Sequence, residues 1–518
     1  MMTCAFRLAI LATLLVGVYN SAPAAEPDRA QMLADRIDAR LQVIWKAHGV
    51  EAAPPADSAI FLRRASLDLL GRIPTAAEAR AFVRDDSPEL RRATIHQMVD
   101  NSASTQRLAR VLRRTWFPQT DVAPYQYLTI DTQKWLAAQL QQRTPLNEIA
   151  RQLIAVSFAP SEASIKAAVD AVPRTLVEAN DHRAERMAAN ATGAFLGIDI
   201  SCAQCHDHPF GSWTQDQFWQ TAAFFTRTTS APDQAFSLDD LSIAVPETNR
   251  QVSALLFTGD AISADETQEF QSGREAFAAW IAGDEHRYFA RRIVNQIWTE
   301  YFGSPLQVDG EVEPADSRLS DLLDELAEEL ATSNFDLRRL TEALVLTRAY
   351  QLAPPQESTF QSSPNLFAAA AVRGMTGEQL FDSLCVAAGR RPLRDDLDSA
   401  AALEQRRAFC QQFRIAGSAA AERSMTQSLA MMNGAFTRDL VDPMQNPTLQ
   451  AMDSTPFLSA KDRVETLFWA TVGHPPTAVQ WSRLTEAGLL ADDPGARAER
   501  HADLFWILVN SVEFSTNH

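Results

Sequence analysis

The chain lacks the short signatures on which many enzyme assignments rest. It has no G-x-S-x-G elbow, no G-x-G-x-x-G or Walker-type phosphate loop and no H-E-x-x-H pair, which removes the usual sequence warrant for a serine hydrolase, a nucleotide-binding enzyme or a zinc protease. Positive charge is also short, with 47 Lys and Arg against 65 Asp and Glu, a formal net charge of -18. Such a surface repels phosphate backbones and anionic lipid, so no nucleic-acid partner is expected. The densest basic stretches, Arg107 to Arg114 and Arg287 to Arg292, are brief and helically spaced, and read as solvated helix faces. There is no internal repeat and no long low-complexity tract. No apolar run approaches the roughly 18 residues that a membrane span needs.

The longest apolar run, Leu8 to Val18, follows a short n-region with one positive charge and precedes Ala22-Pro23-Ala24-Ala25. That is the layout of a cleaved signal peptide over residues 1–25. The expectation is an exported protein of the periplasm or cell surface, with no integral membrane segment after signal removal. Cysteine is scarce too. Of five, Cys4 leaves with the signal, and Cys202, Cys205, Cys385 and Cys410 remain. Free thiols persist poorly in an oxidising compartment, so Cys385 and Cys410 are expected to pair.

The other two cysteines carry the most specific pattern in the chain, Cys202-Ala203-Gln204-Cys205-His206, continuing as Asp207-His208-Pro209-Phe210. Cys-x-x-Cys-His is the attachment signature of c-type haem. Three readings compete. In the first, Cys202 and Cys205 form thioethers to haem c and His206 is the axial iron ligand. In the second, Cys202 and Cys205 with His206 or His208 hold zinc or copper. In the third, a Cys202–Cys205 disulfide staples a loop packed by Phe210, Trp213, Phe218 and Trp219, and there is no cofactor. If haem is bound, Met187 and His182 are the sequence candidates for the sixth ligand. His208 is a weaker one, because its short tether holds it towards the same face.

Apolar residues recur every three or four positions along most of the mature chain, starting with Leu33, Ile37, Leu41 and Ile44. Ile73-Pro74-Thr75 followed by Ala77-Glu78 reads as a turn and a helix N-cap, the Thr75 hydroxyl accepting from the freed N–H groups of the next turn. Glu185 to Leu196 reads as a helix ended by Gly197, feeding directly into the cysteine motif. Leu241 to Val245 and Val252 to Phe257 are β-type runs around Pro246-Glu247-Thr248-Asn249, a hairpin. The expected fold is therefore mainly α: a multi-helical two-domain protein with a small β-hairpin insertion between the domains. The acidic residues Asp321, Asp324, Glu325, Glu328 and Glu329 read as a solvated helix face, and His286 beside Asp284 and Glu285 as surface loop.

Asn190 to Phe225, with Phe195-Leu196-Gly197, the cysteine motif, Trp213-Thr214 and Ala222-Ala223-Phe224-Phe225, is similar to the cytochrome-c-like domain first described in planctomycetes. Leu62-Arg63-Arg64-Ala65-Ser66-Leu67-Asp68-Leu69-Leu70-Gly71 resembles that domain's opening. Phe289-Ala290-Arg291, Val294-Asn295-Gln296-Ile297-Trp298, Phe302-Gly303 and Thr347-Arg348-Ala349-Tyr350-Gln351-Leu352 resemble the planctomycete-specific domain that commonly follows, as do Leu429, Asn433-Gly434 and Asn510 to Phe514. The resemblance implies a first domain over residues 27–230, a linker over 231–275 and a second domain over 276–518. Both domains are of unknown function, and the resemblance supplies no catalytic residue. Two departures stand out: Gln296, where relatives often carry Arg, and an acidic stretch from Glu311 to Asp321 in place of a Pro-rich, His-containing loop. Two functional classes follow. One is a c-type haem electron carrier or haem-dependent redox protein with a periplasmic redox partner. The other is a non-redox scaffold or binding protein whose cysteines form a disulfide or metal site.

Overall fold

The structure is a computed structural model and describes residues 28–85, 87–156, 171–207, 213–226, 241–248, 250–256, 270–283, 287–308, 316–355, 366–393, 399–413, 424–490 and 495–518. It is mainly α, with two small antiparallel strand pairs. The expected signal segment, His208 to Phe210 of the cysteine motif, His286 with its acidic neighbours and residues 311–315 of the acidic stretch lie outside the described residues.

The first helix, α1 (Arg29–His48), buries the Leu33, Ile37, Leu41 and Ile44 stripe and stops at Gly49, whose φ of 65° is left-handed. Helix α2 (Ser58–Ala65) runs on into a wide π-type turn, Ser66–Leu70. Helix α3 (Ala76–Val83) opens with the Thr75 N-cap read from the sequence, and Glu78 completes a capping box. Helices α4 (Pro88–Val99), α5 (Ser102–Trp116), α6 (Leu128–Gln141) and α7 (Leu146–Ala155) follow. Helix α8 (Ala184–Ala191) ends in a second wide turn, Thr192–Leu196, and α9 (Gln215–Ala223) lies beyond the motif. The hairpin is present as β1 (Ser242–Ala244) and β2 (Gln251–Ser253), with Ile243 opposite Val252.

The second half holds α10 (Gly273–Ala282), α11 (Arg287–Phe302), α12 (Ser317–Thr332), α13 (Leu337–Leu346), α14 (Gly377–Ala387) and α15 (Ala400–Gln412). Six further helices complete it: α16 (Met425–Asn433), α17 (Ala435–Val441), α18 (Pro447–Asp453), α19 (Ala460–Thr471), α20 (Ala478–Glu486) and α21 (Arg497–Val509). A last turn, Val512–Ser515, leads to β4 (Thr516–Asn517), which pairs with β3 (Arg373–Gly374).

Hydrophobic burial divides the molecule elsewhere than the sequence motifs do. One core runs from Ala30 to Ala368 and takes in α10 to α13. The other gathers Met375 to Phe514 and receives Leu67 and Ile73 from the turn after α2. Helices α12 and α13 pack on α1, α13 also on α4, and α11 on α12 and the turn after α8. Glu325 and Glu329 of α12 then pair with Arg40 at 2.8 Å and Arg36 at 2.5 Å, and Asp324 pairs with Arg291. The acidic side of α12 is thus partly covered by cations of neighbouring helices, and only Asp321 and Glu328 stand in solvent.

Cys385 and Cys410 do not form the expected disulfide. The backbone of Cys410 lies against Gly377, at the start of α14, within 2.9 Å of where a Cβ would stand. Cys385 sits eight residues further along the same helix, roughly 12 Å at 1.5 Å per residue. Disulfide bonding needs Cα atoms within about 7 Å. Among the described residues no helix is long and apolar enough to cross a membrane.

Candidate functional site

The cysteine motif forms a short 3-10 turn, Ser201–Gln204, between α8 and α9. Its alternation is simple. Ala203 is fully buried, whereas Cys202, Cys205 and His206 are exposed. Helix α9 grips the turn from behind. The Trp219 indole donates to the Gln204 carbonyl at 3.1 Å, the Gln215 amide donates to the Cys205 carbonyl at 3.0 Å, and the Asp207 carboxylate accepts from the Gln215 backbone N–H at 2.8 Å. His206 Nδ1 bonds the Asp207 carbonyl at 2.8 Å, which leaves Nε2 as the outward nitrogen. Cys202 and Cys205 are free thiols with no disulfide between them. Among the described residues no group of three His, Cys, Asp or Glu side chains is arranged to hold a metal ion. Met187 is fully buried in the first core, as a packing residue of α8.

A second site was not visible in the sequence. Both stretches read as solvated basic faces contribute instead to a cavity of about 790 Å³ between α5, α6, α11, α14 and α15. Arg107 and Arg113 of α5 are only 6% and 3% exposed. Arg110 and Arg114 line the wall beside them, Arg292 comes from α11 and Arg373 from β3, and Arg406 and Arg407 come from α15.

Their carboxylates explain how so many cations pack together. Glu300 of α11 takes Arg107 at 2.6 Å and Arg114 at 3.2 Å. Asp121 takes Arg113 at 2.5 Å, and Asp382 of α14 takes Arg406 at 2.9 Å and Arg110 at 3.6 Å. Burial alone would raise the Glu378 carboxyl, but Arg114, Arg406 and Arg110 around it outweigh burial and hold it down at about 2. Glu300 is depressed in the same way, against burial, by Arg107, Arg114 and Arg373. Burial, then Glu378, pushes the Cys410 thiol on the same wall well up, so it stays protonated.

Behind the cavity lies a buried polar hub. The fully buried Asp68 carboxylate accepts from Arg373 at 2.8 Å, Tyr350 Oη at 2.9 Å and Asn517 Nδ2 at 2.7 Å, while its carbonyl accepts from Arg107 Nε at 2.8 Å. Arg64 bonds the carbonyls of Tyr350 and Leu352, and Arg63 those of Thr471 and Phe514. The motifs quoted from both halves of the sequence therefore meet in one place. On α11, Asn295 orders the following loop by accepting from the Leu306 N–H at 2.8 Å and donating to the Gln307 carbonyl at 2.6 Å, and Trp298 is buried core. Gln296 differs. It lines the cavity, 9% exposed, and neither amide atom has a hydrogen-bond partner among the described residues.

One signal could have pointed here. Only four of the 47 basic residues are lysines, and arginine is the cation suited to buried bidentate pairing.

Residues 36–230 match the model of the PSCyt2 family, a protein of unknown function (DUF1549), and residues 273–406 match that of the PSD1 family, a protein of unknown function (DUF1553). No curated protein and no solved structure matches the chain. With both matches in sequence order, and with the motifs of both halves joined at Asp68, the chain belongs to the two-domain PSCyt2–PSD1 proteins.

Proposed function

We propose that this is an exported c-type haem protein acting in electron transfer or haem-dependent redox chemistry, with Cys202 and Cys205 as thioether anchors and His206 as the axial ligand. One observation carries the reading: both thiols and the imidazole stand exposed on a single turn whose inner residue, Ala203, is buried. The residues fit the group. A ligating histidine typically has its other ring nitrogen fixed by a carbonyl or carboxylate, and His206 Nδ1 is held this way by the Asp207 carbonyl. Exposed paired thiols in an oxidising compartment need a covalent partner, and this chain's Cys202 and Cys205 are not joined to each other.

Haem bound there would supply one-electron iron chemistry. The chain's own contribution is positional: Trp219 and Gln215 fix the carbonyls of the turn and Asp207 ties it to the start of α9. Because Met187 is core, its α8 position offers no exposed sixth ligand. The exposed turn also offers a docking edge to a periplasmic redox partner.

The test is a pyridine haemochrome spectrum and a haem-stained denaturing gel after expression with a cytochrome c maturation system. Covalent haem is expected in the wild type, with loss or deformation of the spectrum in Cys205→Ser and His206→Ala. Absence of covalent haem after competent maturation overturns the reading in favour of a non-redox binding protein.

A further inference from the structure

The arginine cavity is separate from the cysteine turn and has its own chemistry. Eight arginines line it against three carboxylates, Asp121, Glu300 and Glu378. The carboxylates standing just behind them, Asp68, Asp382 and Glu404, pair with Arg373, Arg406 and Arg407. The lining itself thus carries more arginines than carboxylates, in a chain whose net charge is -18. The volume, about 790 Å³, lies within the roughly 300–1,000 Å³ of small-molecule sites, and the position at a junction of structural units is where such sites concentrate.

The neutral atoms of the wall narrow the ligand further. Gln296 and Asn517 line the cavity, and Gln296 Nε2 and Oε1 and Asn517 Oδ1 are buried with no hydrogen-bond partner among the described residues. Buried amides normally find partners, so an idle one in a cavity wall marks where a ligand atom belongs. Two of these three atoms are acceptors. A fully ionised oxyanion such as sulfate would answer the arginines but has no hydrogen to give Gln296 Oε1 or Asn517 Oδ1. An ammonium group would supply the hydrogens but is repelled by the arginines. A hydroxyl on an anion satisfies both demands.

We propose that this cavity binds a small anion that also carries hydroxyl groups, the class of acidic sugars and sugar esters. The anionic group meets the arginine wall, where planar guanidinium donors suit carboxylate, sulfate and phosphate alike, and the hydroxyls meet Gln296 and Asn517.

The experiment is calorimetric titration of the full mature chain with D-glucuronate, glucose 6-phosphate and glucose 6-sulfate, with glucose and inorganic sulfate as controls. The expected result is saturable, salt-sensitive binding of at least one of the three hydroxylated anions, the arm that binds naming the anionic group, with glucose and sulfate each about tenfold weaker or more. Gln296→Leu keeps the side-chain volume and removes the idle amide. It should weaken that ligand about tenfold or more, as expected for loss of a buried hydrogen-bond site, while leaving the melting temperature unchanged or raised. Arg114→Gln, at the more exposed rim, should weaken it as well. The proposal is overturned if none of the three anions binds, if sulfate alone binds as tightly, or if Gln296→Leu binds like the wild type.

Discussion

Tyr350 donates its hydroxyl to the Asp68 carboxylate at 2.9 Å across 282 positions of sequence. The bond explains the reach of the fold better than either domain motif does. Asp68 belongs to the turn that follows α2, Tyr350 follows α13, and the other donors, Arg373 and Asn517, belong to the small β3–β4 pair. One buried carboxylate therefore ties the opening of the first domain to the second domain and to the last strand. Burial raises the Tyr350 hydroxyl far above its ordinary value, with Asp68 adding to it, so the tyrosine remains a donor at any working pH.

Asp68→Ala should consequently be among the most destabilising single changes available. It leaves the Arg373 guanidinium, 11% exposed in its side chain, without its counter-charge. Removing one partner of a buried pair costs about 3–5 kcal/mol. Tyr350→Phe removes one donor and leaves Arg373 and Asn517 in place, so about 1–2 kcal/mol is expected. Urea denaturation should give midpoints in that order, and equal midpoints would show that the hub does not hold the halves together.

Acid should weaken the protein in two steps of different origin. Burial, with Arg63 nearby, lowers His518 to about 4. Its contribution is therefore present above the ordinary histidine value of 6.5 and is lost as pH falls towards 4. Glu378, held at about 2 against an ordinary 4.5, contributes stability present above pH 4.5 and lost as pH falls towards 2. Melting temperatures measured from pH 7 to pH 3 should therefore flatten in the upper window in His518→Gln and in the lower window in Glu378→Gln. If each variant tracks the wild type throughout, the assignment fails.

The helices were legible because their inner stripes are apolar: Leu33 to Ile44 in α1 is one example, and the Thr75–Glu78 box and the β1–β2 hairpin carry equally local signals. Helix α15 was missed for the complementary reason. It buries little beyond Phe409, and its inward residues include Arg406 and Cys410, so no apolar period appears. The basic face of α5 misled because spacing places Arg107, Arg110 and Arg114 on one side without saying what faces it. The partners, Glu300 and Asp382, lie 193 and 272 residues away. The cysteine motif was plain as a pattern, but its exposure depends on the side-chain grip of α9, which no local rule encodes.

Gly377 should prove irreplaceable although its backbone is ordinary helix. A Cβ there would stand 2.9 Å from both Cα and O of Cys410, so Gly377→Ala must push α15 away from α14. Overpacking of this kind typically costs about 1–3 kcal/mol. Because α14 and α15 form one wall of the arginine cavity, anion binding should weaken together with stability. An alanine variant that melts and binds like the wild type would mean that the two helices separate without cost.

Cys202, Cys205, Cys385 and Cys410 should divide sharply by reactivity in protein expressed without a haem maturation system. Cys202 and Cys205 are exposed on the turn, so nothing shields them from a thiol reagent. Cys385 is 4% exposed within α14. Cys410 is partly covered, and burial with the adjacent Glu378 keeps it protonated, whereas the thiolate is the reacting form. Ellman titration of reduced protein comprising residues 26–518 at pH 7.5 should therefore give about two rapid equivalents and two more only on denaturation. Cys202→Ser and Cys205→Ser should each remove one rapid equivalent, and Cys410→Ser none. Four rapid equivalents would contradict the packing of α14 on α15. No rapid equivalents in a reduced sample would place the motif inside the protein and withdraw the exposed turn on which the haem assignment rests.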